Sequence, residues 1–451
     1  MGSYAQCWLD DLFVGSSKND IDPDLISLFR PEDKVSTRHI EAVHPALIDQ
    51  YAEALADDED LCVVYYETTV DHAEDRLKVL GYSLETAKDA FSAWISGEIC
   101  ACADRSERLQ ISDPDFRDLM LESYQKDQDI LKSLSPENWI NWLNEIRDRG
   151  LTSNYHGRHE GPYKDTAIGY MLRNEWHGYP GYDMFVPLRL AMEAFEKSET
   201  LIYDVSDLVW SGYFDKDDDF IRYGIQTSEE EYSERSKIIV LTEGKTDAWI
   251  LDESMKLLYP HLRNYYSFLD FESSGFGGAV GNLANAVKAF AGAGIVNNVI
   301  ALFDNDTAAF VASRNLTTIA LGRNIEIKHL PDLESLRSYP TIGPSGFVNL
   351  DINGVAASIE LYMGSDILKA GQNDRCPVQW TGYDRSIGRY QGEVLDKPSL
   401  HARFREKLTQ STANLLGDWD GMRAICEVLF TAFAERNRAS ISKRAKAYYA
   451  R

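Results

Sequence analysis

The chain has 451 residues, 44 % of them hydrophobic, which is enough for about two or three domains with cores of their own. A formal net charge of −26 repels nucleic acid at long range, which argues against a protein that simply coats DNA. The charge is compatible with an enzyme that binds phosphate through divalent cations and a local basic patch. No apolar run approaches the ~18–20 residues of a membrane span, and no secretory leader opens the chain, so we expect a soluble cytoplasmic protein without a membrane partner.

Helical periodicity dominates the first half of the chain. Ser135 in a capping position, with Pro136 directly after it, predicts the start of one helix. Residues 150–182 are rich in Gly, His and Tyr, so we expect an irregular segment around one short helix. The polar run 228–237 then marks a boundary, either as a linker or as a solvated helix face. These patterns predict a mainly helical domain over residues 1–230.

Strands and helices alternate after this boundary. Apolar runs typical of buried strands lie at 238–241, 265–271, 298–303 and 325–328, and helical patterns lie at 246–258, 282–293 and 308–316. This alternation predicts a doubly wound parallel sheet, in which the chemistry lies at the carboxyl ends of the strands. We place this core at 236–340, followed by a C-terminal extension at 341–451 that completes the site and is helical at its end.

Acidic side chains follow two of the predicted strands. Glu243 and Asp247 come after the first strand, and Asp304 and Asp306 come after the third. Because the carboxyl ends of parallel strands share one edge of a sheet, we expect Glu243 and Asp304 to be neighbours there. Asp247 and Asp306 could instead do no more than cap the helices that follow them.

Several carboxylates in one place repel each other, and a bound divalent cation removes that cost. Mg²⁺ takes carboxylate and phosphate oxygens as ligands. One such ion, or a pair ~4 Å apart, activates water and stabilises the leaving oxygen in phosphodiester cleavage. The cluster therefore predicts a Mg²⁺ or Mn²⁺ site with Glu243, Asp247, Asp304 and Asp306 as metal ligands. It also predicts a metal-dependent hydrolase with Glu243, Asp304 and Asp306 as its catalytic residues.

The segments 240–247 (Val-Leu-Thr-Glu-Gly-Lys-Thr-Asp) and 301–306 (Ala-Leu-Phe-Asp-Asn-Asp) resemble the two signature motifs of Toprim domains. These domains occur in topoisomerases, bacterial primases and nucleases of the overcoming-lysogenization-defect type. Topoisomerases and primases usually carry a further Asp where this chain has Ala308, so the motifs are closer to the nuclease branch. The resemblance implies an α/β Toprim core, which is a Rossmann-like, mostly parallel sheet flanked by helices.

Residues 1–4 with 16–19, and the later segment 63–69, resemble the N-terminal module called HEPN/Toprim-associated. This resemblance implies a toxin-like nuclease of bacterial anti-phage defence that cuts RNA such as tRNA, with an ATPase or a reverse transcriptase as a partner protein. Cleavage of DNA remains an alternative, as does a non-catalytic regulatory module with a degenerate Toprim fold. The sequence leaves the oligomeric state open.

HEPN ribonucleases use an Arg and a His with four to six residues between them. The nearest pair in this chain, Arg173 and His177, has three residues between. We therefore predict no independent HEPN site and an ordinary structural place for His177.

Nucleases of the overcoming-lysogenization-defect type add a further Glu and a Lys to the metal site. By that resemblance, Glu360 is assigned as a metal ligand and Lys397 as a catalytic residue. A Lys beside the cleaved phosphate would neutralise developing charge. Glu360 falls in a segment, 355–362, that we predict to be helical, and both residues could equally be solvent-exposed.

The C-terminal stretch reverses the charge of the chain. It carries Tyr448 and Tyr449 among basic residues, of which five are candidates for nucleic-acid contact: Arg436, Arg438, Lys443, Arg444 and Lys446. An amphipathic helix packed on an acidic neighbour explains the same pattern equally well.

Overall fold

The computed structural model describes residues 2–58, 60–152, 162–227, 237–269, 280–316, 321–344, 346–369, 375–411 and 414–450. The predicted boundary at 228–237 lies outside these ranges except for its last residue. Across the described ranges, no helix is both long enough and apolar enough to cross a membrane.

The chain divides into two compact units. Met1–Tyr232 and Ala434–Arg451 together form the first unit, and Ser233–Phe433 forms the second. The end of the chain is thus grouped with the N-terminal half, whereas the sequence-based boundaries placed it within 341–451.

The described residues of the first unit are mainly helical, as predicted for residues 1–230, but they also contain a five-stranded sheet that the prediction did not include. All of its neighbouring strands pair antiparallel. Cys7, for example, pairs with Tyr203. Partners so far apart in sequence leave no local signal, which is why the periodicity did not reveal the sheet. Its order is β2-β1-β5-β4-β3, with β1 (Tyr4–Leu9), β2 (Leu12–Lys18), β3 (Lys34–Thr37), β4 (Val63–Thr69) and β5 (Thr200–Asp204).

The first unit also contains helices. The helix start predicted at Ser135 and Pro136 is confirmed, because the Ser135 hydroxyl accepts a hydrogen bond from the Asn138 N–H at 3.1 Å. Trp94 and Trp139 are buried in the core between the helices. In chain order, the helices of the described residues up to 227 are α1 (Pro23–Ile26), α2 (Pro45–Asp57), α3 (Val70–Val79), α4 (Leu84–Glu107), α5 (Pro114–Ser133), α6 (Pro136–Asp148), α7 (Ala167–Arg173), α8 (Phe185–Ala191), α9 (Ser206–Trp210) and α10 (Phe220–Thr227).

His177 is a structural residue in this unit. It is buried, and its Nε2 lies 3.1 Å from the Phe13 carbonyl oxygen. Burial lowers the pKa of the imidazole to about 4. The backbone carbonyl of His177 also accepts a hydrogen bond from the Trp139 indole at 2.9 Å. A side chain enclosed in this way has no access to a substrate, which agrees with the structural place predicted for it.

The second unit begins with the predicted parallel sheet, which the structure confirms. The sheet has the order β10-β8-β6-β7, and every neighbouring pair is parallel. Its strands alternate with helices because each apolar run is followed by an amphipathic segment that covers one face. The elements are β6 (Ile238–Leu241), α11 (Lys245–Leu258), β7 (Tyr266–Leu269), α12 (Val280–Gly292), β8 (Val299–Phe303), β9 (Asn305–Asp306), α13 (Thr307–Arg314) and β10 (Ile325–His329).

A smaller mixed sheet follows, in the order β12-β11-β14-β15, and β13 pairs separately with β9. The helix predicted at 355–362 is wrong: the segment forms the short strand β13 and then a 3₁₀ turn over Ile359–Tyr362. Pairing of Ala357 with Asn305 competes with helix formation there. The remaining elements of this unit are β11 (Tyr339–Gly343), β12 (Gly346–Leu350), β13 (Ala356–Ala357), β14 (Val378–Asp384), β15 (Arg389–Val394), α14 (Lys397–Gln410) and α15 (Asp420–Phe430).

The last helix, α16 (Ala434–Tyr449), packs on α4 within the first unit. Ile441 and Ala445 are buried in this contact. The Arg438 guanidinium lies 2.7 Å from Glu85, and Arg444 lies 3.1 Å from the buried Asp183. The arrangement is that of an amphipathic helix packed on an acidic neighbour.

Truncation of Ile441 tests this packing. We expect Ile441→Ala to lower the free energy of unfolding by about 2–5 kcal/mol, because it removes a buried side chain from a packed contact. Lys443→Ala, an exposed change on the same helix, is expected to stay within about 0.5 kcal/mol of the wild type. Chemical denaturation of the full chain measures both. Equal stability of the two variants would show that α16 does not pack as described.

Candidate functional site

The parallel pairing of β6 with β8 brings two acidic side chains together. Leu241 pairs with Ala301, so Glu243 and Asp304 both follow at the same edge of the sheet. The Asp304 backbone N–H donates a hydrogen bond to the Glu243 carboxylate at 3.1 Å. The neighbour relationship expected from the sequence is therefore present.

Asp247 and Asp306 both stabilise helix starts. The Asp247 carboxylate accepts a hydrogen bond from the Gly244 N–H at 3.0 Å, at the beginning of α11. The Asp306 carboxylate accepts one from the Ala309 N–H at 2.7 Å, at the beginning of α13. The capping alternative thus holds for both residues, and it also fixes their carboxylates beside Glu243 and Asp304.

Glu360 is buried and fully partnered, which excludes the solvent-exposed alternative for it. Its carboxylate accepts a hydrogen bond from Ser358 at 2.6 Å and lies 3.1 Å from His401 Nε2 and 3.5 Å from Lys397 Nζ. Burial alone would raise its pKa, but the hydrogen bond from His401, the charge of Lys397 and the Ser358 hydroxyl outweigh burial and lower the pKa to about 2. Glu360 is therefore an anion that holds Lys397 next to the acidic cluster.

The other carboxyl groups shift in the opposite direction. Burial, followed by the charges of Asp306 and Asp247, raises the pKa of Glu243 to about 7. Burial and the charge of Glu360 raise the pKa of Asp247 to about 6. The pKa of Asp304 lies well above its usual range because of burial and then the charges of Glu243, Asp247, Asp306 and Glu360. These groups repel one another, as a cluster of carboxylates without a counter-ion must.

The hydrogen bonds also keep these side chains apart. Among the described residues, no three acidic, His or Cys side chains converge closely enough to hold a metal ion as they stand. A metal ligand set would require Glu243, Asp247 and Asp306 to turn from their backbone donors towards a common point. The donors are all hard oxygens, which is the ligand type that Mg²⁺ and Mn²⁺ prefer.

Two histidines of the site were not predicted from the sequence. His401 lies four residues after Lys397 on α14, and this helical spacing is the signal that could have identified it. His329 ends β10 at the same sheet edge, and its Nδ1 lies 3.0 Å from the Asp304 carbonyl oxygen. Burial lowers the pKa of His329, although Asp304 and Asp306 oppose the shift.

The basic residues of α16 belong to the first unit rather than to this sheet edge. Arg438 and Arg444 are engaged in the ion pairs described above, and Arg436 donates to the Asn437 side chain at 3.0 Å. Lys443 and Lys446 are exposed. A nucleic-acid contact by α16 stays a prediction, and its two exposed lysines are the best placed to make one.

Fold and site together define a mixed α/β protein with a cluster of carboxylates at one edge of a parallel sheet. The model of the family HEPN/Toprim N-terminal domain 1 matches residues 1–228, about half of the chain, and the chain belongs to that family. No curated protein and no solved structure matches the chain.

The raised carboxyl pKa values predict how the stability of the metal-free protein depends on pH. A carboxyl group whose pKa rises on folding stabilises the protein fully below its unfolded pKa, and this contribution is lost as the pH rises through the folded value. For Glu243 the loss runs from about pH 4.5 to about pH 7. We expect Asp304→Asn, which removes one repelling charge, to stabilise the metal-free chain at about pH 8 by about 1–3 kcal/mol, since one pKa unit corresponds to about 1.4 kcal/mol.

Thermal melts in EDTA at about pH 8 and about pH 5 measure the effect. The gain should shrink at about pH 5, which lies below the pKa values of Glu243 and Asp247, because both groups are then largely protonated. A gain of equal size at both pH values, or a loss of stability at about pH 8, would contradict the account of repulsion.

Proposed function

We propose that this chain is a metal-dependent nuclease with a Toprim catalytic core. The observation that carries the proposal is the contact between Asp304 and Glu243 at the carboxyl edge of the parallel sheet, with Asp247 and Asp306 fixed beside them. Isolated acidic residues at strand ends need no further explanation than helix capping. Burial raises the pKa of Glu243 and Asp304, and the charges of neighbouring carboxylates raise it further. Such a cluster is costly for a fold, and relief by a cation explains why these groups lie together.

Mg²⁺ or Mn²⁺ fits the chemistry of the donor set. The ligands of the ion would be Glu243, Asp247, Asp304 and Asp306. Glu360, which the resemblance assigned as a further ligand, is already engaged by Ser358, His401 and Lys397. When bound, such an ion supplies an activated water and stabilises charge on the leaving oxygen. The chain's own part is to keep the carboxylates on strand ends and helix starts at one sheet edge, from which they would turn towards the ion when it binds.

Lys397 has the place and the charge for a role at the cleaved phosphate. Burial lowers its pKa, but the charges of Glu360 and Asp304 outweigh burial and raise the pKa above the usual value. A cation held in this way neutralises negative charge that develops on a phosphate oxygen. Glu360 and His401 act as positioning residues, because they fix Lys397 without reaching the phosphate themselves.

We further propose that the substrate is RNA such as tRNA and that the chain acts as a toxin-like effector in bacterial anti-phage defence. The family to which the chain belongs supports an association with nucleases, and its name joins HEPN, a ribonuclease class, with Toprim. DNA cleavage is the second candidate for the same site. A regulatory module without catalysis is favoured by one observation, that the carboxylates of the described residues do not converge on a common point.

Loss of the Asp304 carboxylate tests the catalytic role. We expect Asp304→Asn to reduce Mg²⁺- or Mn²⁺-dependent cleavage of total RNA or plasmid DNA by at least about 10³-fold, since it removes a metal ligand and keeps the side-chain shape. The matched control is Glu253→Gln on α11, where the carboxylate pairs with the exposed Lys256. Sequencing of the cleaved ends distinguishes RNA from DNA as substrate. Cleavage by Asp304→Asn at the control rate would refute the site.

The exposed lysines of α16 give a separate prediction about substrate binding. Removal of one phosphate-binding charge should reduce the slope of log binding constant against log salt by about 0.7–0.9. The double change Lys443→Gln and Lys446→Gln removes two charges. We expect it to reduce the slope by the amount for one or two phosphate contacts, while the melting temperature stays unchanged. An unchanged slope would assign α16 to packing alone.

A further inference from the structure

A large cavity lies in the second unit. It has a volume of about 1010 Å³ and is lined by residues of the small mixed sheet, among them Trp380 and Tyr390, and by Asn305. Asn305 stands between Asp304 and Asp306, and its side chain donates to Asp332 at 2.8 Å inside the cavity wall. Asn305 thus belongs to the cavity wall, whereas its acidic neighbours in sequence are not among the residues that line the cavity.

The wall of this cavity carries two aromatic side chains, an exposed tyrosine and a half-buried tryptophan. The Tyr390 side chain is 61 % exposed and packs edge-on against Tyr383, with ring centroids 5.0 Å apart. Trp380 lies 5.9 Å from the Tyr390 ring. Gly392 pairs with Trp380 across the hairpin, and a Cβ at Gly392 would come within 3.1 Å of the indole ring. A glycine in that place leaves room for the Trp380 ring to lie over the strand.

A stack of three side chains joins this wall to the acidic cluster. Arg389 lies over the Phe310 ring at 5.4 Å, and Phe310 stacks on His329 with centroids 4.3 Å apart and an interplanar angle of 10°. His329 in turn contacts the Asp304 carbonyl oxygen. A second cavity of about 540 Å³ lies against the same Phe310 and Arg389 and is also lined by Arg314. These two cavities share Phe310 and Arg389 and are here called the groove. The stack of Phe310 on His329 connects the groove to the backbone of Asp304.

We propose that this groove binds an unpaired nucleic-acid strand, with bases stacked on Tyr390 and Trp380 and backbone phosphates against Arg389 and Arg314. The inference rests on the proposed nuclease function and names its substrate class as single-stranded. Exposed aromatic rings bind bases only when these are unpaired, since a duplex hides the base faces. Arginines next to the rings supply the positive charge that the acidic chain otherwise lacks.

Two acidic side chains line the groove, and their own hydrogen bonds weaken their repulsion of a nucleic-acid strand. Asp332 accepts the hydrogen bond from Asn305, and Asp351 accepts hydrogen bonds from the Asn353 backbone and side chain at 3.0 Å. Their charge is thus partly compensated within the wall. The guanidinium of Arg389 donates to the Gly354 carbonyl oxygen at 3.1 Å, which leaves the plane of the group fixed above Phe310.

Fluorescence anisotropy with the full chain in EDTA tests the proposal without cleavage. The probes are labelled oligo-U RNA, oligo-dT DNA and a duplex of equal length. We expect the single strands to bind more tightly than the duplex. Tyr390→Leu should weaken single-strand binding about 5- to 150-fold, the loss expected for one stacked base, while Tyr390→Phe keeps the affinity.

The matched control is Phe347→Leu, which changes another aromatic residue of the same sheet. Phe347 is 74 % exposed but does not line the cavity, because its neighbour Val348 does so and side chains alternate along a strand. This variant should bind like the wild type. Arg389→Gln is a second, independent variant. It should reduce the slope of log binding constant against log salt by the amount expected for the loss of about one phosphate contact.

Three results would overturn the proposal: equal binding of duplex and single strand, wild-type affinity of Tyr390→Leu, or no oligonucleotide binding at all. The last result would favour a protein segment as the ligand of the groove. The result is separable from that for cleavage. Tyr390-dependent binding without any cleavage would uphold the groove and refute the nuclease, whereas cleavage with Tyr390-independent binding would do the reverse.

Discussion

Mutual repulsion among carboxylates is the constraint around which the second unit is organised. The parallel pairing of β6 with β8 places Glu243 and Asp304 at one edge of the sheet, and the helices that start there bring Asp247 and Asp306 beside them. The fold lowers the cost with backbone N–H donors, one for each of Glu243, Asp247 and Asp306. The pKa of Glu243 nevertheless stays near 7, because burial and then the charges of Asp306 and Asp247 outweigh the hydrogen bond from the Asp304 N–H.

The surroundings of the cluster divide into a cationic and an aromatic side. On the first, Glu360 remains ionised because His401 and Lys397 surround it, and this anion in turn holds Lys397 near Asp304. On the second, His329 and Phe310 connect the cluster to the groove of the mixed sheet. A substrate phosphate between the two sides would meet a cation and the carboxylates, while its bases would meet rings.

Sequence patterns predicted the parts of the fold that depend on local signals. The strand Ile238–Leu241 was predicted with its observed bounds, because a short β-branched run before a polar turn is a local feature. The antiparallel sheet of the first unit was missed, since strands such as Thr200–Asp204 are short and find partners at the far end of the chain. In the site, strand-end acids were visible in sequence, but His401 became evident only through its contact with Glu360.

The central claim, that the acidic cluster is a metal site, is tested most directly by calorimetric titration of Mn²⁺ into the full chain in buffers of different ionisation enthalpy. At about pH 6.5 we expect binding with release of protons, because Glu243, with its pKa of about 7, must lose its proton to become a ligand. Proton release should fall at about pH 8.5, and Asp304→Asn should lose most of the binding. Failure of the wild-type chain to bind Mn²⁺, or binding to Asp304→Asn with the same affinity, would contradict the account.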